Sequence, residues 1–143
     1  MKPRVFIDSS VLITAIYSAR GHSFDLLLLG VKEEITVIIS DDVIYETMKN
    51  IAKDRPEKLP VLQRAFHTSN FEIVTVTKED VFDAAKHIVE KDAPILAAAK
   101  VSSIDMLVSL DKRHFLGKPE LSAYINAPIF TPAEAFQKIN DCR

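Results

Sequence analysis

The sequence predicts a three-layer α/β domain with a mainly parallel sheet. Short β-branched and aromatic runs alternate with segments of helical periodicity, and no long polar linker divides them. The 143 residues, 48% of them hydrophobic, suffice for one well-buried core and not for two, so residues 1–143 are expected to form a single domain.

Val5-Phe6-Ile7 reads as a first strand that stops at the polar turn Asp8-Ser9-Ser10, after which Val11, Leu12, Ala15 and Ile16 recur at helical spacing. A short helix, apolar nearly all round, is expected over Phe24 to Val31, followed by a strand at Ile35–Ile39. Ser40 then opens a helix whose buried stripe is Val43, Ile44, Thr47, Met48 and Ile51. A polar connection holding Pro56 and Pro60 leads to a helix around Val61 to Thr68, and Phe71 to Val76 alternates as a strand does.

Thr77 followed by Asp80 resembles a capping box, in which each side chain satisfies the other's backbone N–H. It opens a helix through about Glu90 with Val81, Ala84, Ala85, Ile88 and Val89 as its apolar positions. The next helix begins near Asp92. Pro94 lies in its first turn, where a missing N–H costs nothing, and the Ala-rich run ILAAAKV continues it. Ile104 to Leu110 is expected to be a strand ending at Asp111. Ile129-Phe130 is a last short strand, and Thr131-Pro132 opens the C-terminal helix Ala133 to Ile139.

Composition excludes several classes. The only cysteine, Cys142, permits neither an intramolecular disulfide nor a cysteine metal site, which suits a reducing, cytoplasmic setting. Asp8 interrupts the apolar start and no clear small-residue cleavage site follows, so a signal peptide is not expected; no run of roughly 18 apolar residues suggests a membrane span. With only Gly21, Gly30 and Gly117 in the chain, there is no glycine-rich phosphate loop. The formal net charge of −2 lacks the basic signature of many nucleic-acid binders, but cations held by acidic residues would reverse that balance locally.

In an open parallel sheet, ligands bind at the carboxyl ends of the strands, and two carboxylates are expected there. Asp8 follows VFI and Asp111 follows MLVSL. Asp92, at a helix start, and Glu46, about two turns into the helix after the second strand, are candidates for the same edge. Taken singly, Asp8 and Asp92 are equally well read as helix N-caps, whereas Asp111 reads better as a turn residue and Glu46 as a solvated helix position. Asp105 precedes its strand, lies at the opposite edge, and is read as a structural turn or cap. Carboxylates that converge repel unless a cation neutralises them, and all-oxygen ligation suits Mg²⁺ or Mn²⁺.

Four segments, VFIDSSVLI at Val5–Ile13, SDDVIYETMKNI around Glu46, KDAPILAAA at Lys91–Ala99 and DMLVSLDKRHF at Asp105–Phe115, together resemble the PIN-domain family of small metal-dependent ribonucleases, which includes VapC-type toxins. The resemblance implies a five-stranded sheet of order 3-2-1-4-5 and a catalytic, metal-holding pocket of Asp8, Glu46, Asp92 and Asp111. Ser10 and Ser109 match positions whose hydroxyls support such a site. It also implies an RNA substrate, single-stranded, with an antitoxin or a second copy of the chain as a candidate protein partner.

One departure concerns the turn after Asp111, where Lys112, Arg113 and His114 stand in place of a further acid common in the family. One tightly held metal is therefore expected rather than two. Lys112 and Arg113 either touch the substrate backbone or form a solvated basic turn. His114 is read as a surface or packing residue in preference to a donor near the site. Leu26 to Leu29 are read as buried against the sheet in preference to forming a partner surface. Two rivals remain: a non-catalytic RNA- or protein-binding module, and a phosphatase-type hydrolase, which needs an aspartate two residues after the first where this chain has Ser10.

Overall fold

The computed structural model describes residues 2–142. In chain order the elements are β1 (Arg4–Ile7), α1 (Ser9–Tyr17), α2 (His22–Val31), β2 (Thr36–Ser40), α3 (Asp41–Asp54) and a 3-10 turn (Pro56–Lys58). There follow α4 (Leu59–Thr68), β3 (Glu72–Val74), α5 (Lys78–Ala84), a second 3-10 turn (Glu90–Asp92) and α6 (Ala93–Val101). The chain closes with β4 (Met106–Val108), α7 (Pro119–Ile125), β5 (Ile129–Phe130) and α8 (Pro132–Asp141).

The five strands form one sheet of order β3-β2-β1-β4-β5, and every pairing is parallel rather than mainly so. Val5, Phe6 and Ile7 of β1 and Met106, Leu107 and Val108 of β4 are buried in unbroken succession. Continuous burial, without alternation, marks strands covered on both faces. The helices pack in two groups that supply the outer layers: α1 with α2 and α3, and α2 with α8; then α5 with α6, and α6 with α7. The chain leaves β1 in one direction toward β3 and returns to add β4 and β5 on the other side, so the crevice between β1 and β4 is the topological switch point.

Local chemistry places the helix starts. The Asp8 carboxylate accepts the Val11 N–H, the Ser40 hydroxyl accepts that of Val43, and complete capping boxes link Thr77 with Asp80 and Thr131 with Glu134. Pro94 and Pro132 stand in the first turns of α6 and α8. Leu26, Leu27 and Leu29 are buried as expected, with Leu28 38% exposed. No helix among the described residues is long and apolar enough to cross a membrane.

Several elements differ from expectation. α5 stops at Ala84 instead of near Glu90, because the N–H groups of Lys86 and His87 turn back to the carbonyls of Asp83 and Ala84, three residues earlier, and Val89 is extended. β3 and β4 are shorter than the apolar runs containing them. Met48 is 48% exposed and leaves the buried stripe of α3. α7, within a stretch left unassigned, begins at Pro119 and ends at Asn126 in the left-handed conformation, burying Leu121 and Ile125.

Candidate functional site

The parallel register of β1 and β4 sets Ile7 beside Val108, so the chains leave the sheet side by side at its carboxyl edge. The Asp8 N–H still donates to the Val108 carbonyl at 3.2 Å, and the Ser109 N–H to that of Phe130 at 2.9 Å. Asp8 is 3% exposed and Ser109 is fully buried. Ser10 and Ser109 each donate a hydroxyl hydrogen bond of 2.5 Å to Asp8, one to each carboxylate oxygen, while Oδ1 also accepts the Val11 N–H at 3.2 Å. Asp8 is therefore an N-cap and a member of the cluster at once. Burial raises its pKa to about 6 against the lowering effect of those three hydrogen bonds, with nearby Asp111 raising it further.

The same two serines tie in the loop after β4. The Leu110 N–H donates to Ser10 Oγ at 3.1 Å and the Asp111 N–H to Ser109 Oγ at 3.0 Å. Asp111 thus lies three residues beyond the end of β4, in a turn rather than at the strand's end. Its Oδ1 accepts the N–H groups of Arg113 and His114, both at 2.9 Å. Burial alone would raise the Asp111 pKa, but these N–H groups and the His114 ring together hold it below its ordinary value.

This turn carries His114 into the cluster, contrary to the expectation of a surface or packing residue. Its Nδ1 lies 3.2 Å from Asp111 Oδ2 and 3.2 Å from Asp92 Oδ2. Only the Asp111 contact has hydrogen-bond geometry, so the buried Asp92 Oδ2 is left without a hydrogen bond. Asp92 precedes α6 but makes no side-chain cap, which removes the N-cap reading for it. Burial raises its pKa, with Asp111 and Glu46 acting in the same direction and Lys91 and His114 opposing.

Glu46 reaches the site from α3, where Oε1 accepts the Ser9 hydroxyl at 2.7 Å and so joins the start of α1. Glu46 and Asp92 line a common pocket. Lys112 and Arg113 are exposed in the turn after Asp111. Asp105 stands at the other end of the sheet, where Oδ2 accepts the Arg4 N–H at 2.7 Å.

One ligand atom from each of Asp92, Asp111 and His114 can lie within 4.8 Å of the others, a spacing suited to a metal ion. Two carboxylates, one with an unsatisfied buried oxygen, fit a divalent cation, which would complete the missing interaction. Asp8 is not part of this group of three; its two oxygens accept the serine hydroxyls. It lies close enough to Asp111 for their charges to interact.

A five-stranded parallel α/β sheet with acidic residues gathered at its switch point defines an α/β domain with a candidate metal-binding edge. The sequence matches the PIN domain family over residues 5–118, and the chain belongs to that family of nucleases, which use divalent metal ions. No curated protein matches the sequence. The fold is similar to that of a chain in the crystal structure of VapBC2 from Rickettsia felis bound to a DNA fragment from its promoter. The TM-score is 0.63 at 17% identity, over 88% of this chain and 96% of that one. It is also similar to PAE2754 from Pyrobaculum aerophilum, with a TM-score of 0.67 at 17% identity over 97% of this chain and 90% of that one.

Proposed function

We propose that the protein is a single-domain, Mg²⁺- or Mn²⁺-dependent endoribonuclease. The observation that carries this reading is the buried Asp92 Oδ2, which has no hydrogen bond and lies beside Asp111 and His114. Asp92 and Asp111 would hold the ion, with Asp8 and Glu46 completing the acidic cluster and Ser10 and Ser109 fixing the Asp8 carboxylate. The divalent cation supplies Lewis acidity, easing deprotonation of the attacking water and offsetting charge that develops on the phosphate. The carboxylates do not attack. Ser9 aims Glu46, and the N–H groups of Arg113 and His114 orient Asp111.

Cleavage of single-stranded RNA in Mg²⁺ or Mn²⁺, with chelator and Asp8→Asn controls, tests the proposal. Asp8→Asn should lower turnover by at least about 100-fold, the scale on which loss of one preorganised electrostatic group is felt, while the melting transition stays cooperative. Near-wild-type turnover in that variant, or in excess chelator, would sink the assignment.

The fold likeness to VapBC2 supports a cytoplasmic toxin role, with a co-encoded antitoxin as partner. Growth arrest on expression, relieved by that partner and abolished by Asp8→Asn, is the expected outcome. A homodimer is compatible with the exposed apolar residues Leu28 and Val31 on α2.

A further inference from the structure

Two pockets flank the carboxylate cluster. The first, of about 440 Å³, is lined by Tyr45, Glu46, Lys49, Asn50, Lys91 and Asp92 among others. The second, of about 420 Å³, is lined by Lys86, His87, Arg113, His114 and Lys118 together with apolar neighbours. Asp92 belongs to the first and His114 to the second, and these residues approach to 3.2 Å. The pockets therefore meet at the candidate metal centre. Each lies within the range of about 300–1,000 Å³ typical of small-ligand sites.

Their chemistries differ. In the first, α3 presents Tyr45 with Lys49 and Glu46 with Asn50, pairs four residues apart and hence neighbours on the helix surface. Tyr45 is 69% exposed, so one face of its ring is open to a stacking partner. The Asn50 amide both donates and accepts, as the edge of a base requires. The second pocket is basic. Lys86 is partly engaged by Asp83 at 3.7 Å, whereas among the described residues neither Arg113 nor Lys118 forms an ion pair. His87 is fixed against the Tyr124 ring with centroids 4.2 Å apart.

We infer that a single RNA strand crosses the site with one base stacked on Tyr45 in the first pocket and an adjoining phosphate held by Arg113 and Lys118 in the second. The inference rests on the nuclease reading and specifies its substrate path. A base can reach Tyr45 only when unstacked and unpaired, so duplex RNA is rejected by geometry. Stacking on a ring tolerates any base, so the first pocket confers strandedness with little sequence preference except through Asn50.

The test measures binding of a fluorescent twelve-nucleotide single-stranded RNA in Mg²⁺ on the Asp8→Asn background, and KM and kcat for the same RNA on the wild-type background. Asp8 lines neither pocket. Tyr45→Ala should weaken binding about tenfold, as loss of one base–aromatic stack does, and raise KM similarly with little change in kcat. Tyr45→Phe should retain affinity. Arg113→Ala with Lys118→Ala should also weaken binding and flatten its salt dependence by about one to two phosphate contacts. A duplex of the same sequence should compete poorly.

Unchanged RNA affinity in Tyr45→Ala would overturn the inference. Equal competition by duplex, an unaltered salt slope, or no measurable RNA binding would overturn it too. If the full pattern holds but no metal condition gives cleavage, the nuclease reading fails and the strand path stands. If cleavage occurs with KM indifferent to Tyr45, the converse is true. Tyr45 and Arg113 are exposed and Lys118 is half-buried, and a thermal melt of each variant checks its folding.

Discussion

Asp8 illustrates how one residue satisfies two demands: it caps α1 through the Val11 N–H, and it offers a carboxylate to the cluster. The cap reading holds for it, and the same carboxylate stands close enough to Asp111 for their charges to interact. Glu46 depends on a contact no local pattern encodes, the Ser9 hydroxyl 37 positions away. His114 reaches the cluster because of the turn in which Asp111 accepts two backbone N–H groups. That turn is invisible when residues are read singly. Beside Glu46, Thr47 is fully buried and its Oγ1 has no hydrogen-bond partner among the described residues. Valine has the same shape and β-branching, so Thr47→Val removes only the unsatisfied hydroxyl. Stability should rise by about 1 kcal/mol, seen as a higher urea midpoint at unchanged slope; a clear fall in the midpoint would contradict this.

Close packing between elements sets the next constraint. Gly30 in α2 lies so near β2 that an added Cβ would sit 2.8 Å from Val37 Cγ2, and the buried β-branched Val37 cannot swing aside. Gly30→Ala should therefore destabilise by roughly 1–3 kcal/mol, despite the better helix propensity of alanine. Val37→Ala introduced with it should restore part of the loss, and additive losses in a double-mutant cycle would disprove the close approach. A second joint links α5, α6 and α7. The Tyr124 hydroxyl donates to Asp83 at 2.5 Å, and Lys100 lies over the Tyr124 ring at 4.0 Å while reaching Asp83 at 3.4 Å. Burial, then the bond to Asp83, raises the Tyr124 pKa to about 12 from an ordinary 10.0. The stability contributed by the neutral phenol is complete below about pH 10 and is lost as pH rises through about 12. An alkaline absorbance titration should show a phenolate step near pH 12 that Tyr124→Phe removes. The same joint explains why α7 escaped sequence reading: it is held by tertiary partners, and its start has no side-chain cap.

Across the whole molecule, the two ends of the sheet have opposite electrostatic characters. At the amino end, Arg4 makes paired bonds of 2.9 and 2.6 Å to Glu72 and also donates to the carbonyls of Ser102 and Ser103, joining β1, β3 and the loop before β4. At the carboxyl end, like charges are gathered with only His114 between two of them. A divalent cation bound there, as the proposed function requires, would offset this gathering of like charge. Titrating Mg²⁺ or Mn²⁺ to a hundredfold excess over Kd should stabilise the fold by about 2.7 kcal/mol, measurable as a rise in melting temperature. Asp92→Asn should raise the metal-free melting temperature and largely abolish the metal-dependent rise. A cation response equal to wild type in that variant would remove Asp92 from the metal centre. The layered architecture was legible because it follows from hydrophobic runs and caps; the meeting of α3, α6 and the β4 loop at one edge is a product of packing.

The brevity of β5 has a consequence for behaviour at high concentration. This outer strand is only Ile129–Phe130, with Pro128 immediately before it and Pro132 soon after. Proline cannot donate a ladder hydrogen bond, and so short an edge offers almost no free backbone groups to an incoming extended chain. On this side, the sheet offers little purchase for the edge-to-edge growth that seeds fibrils.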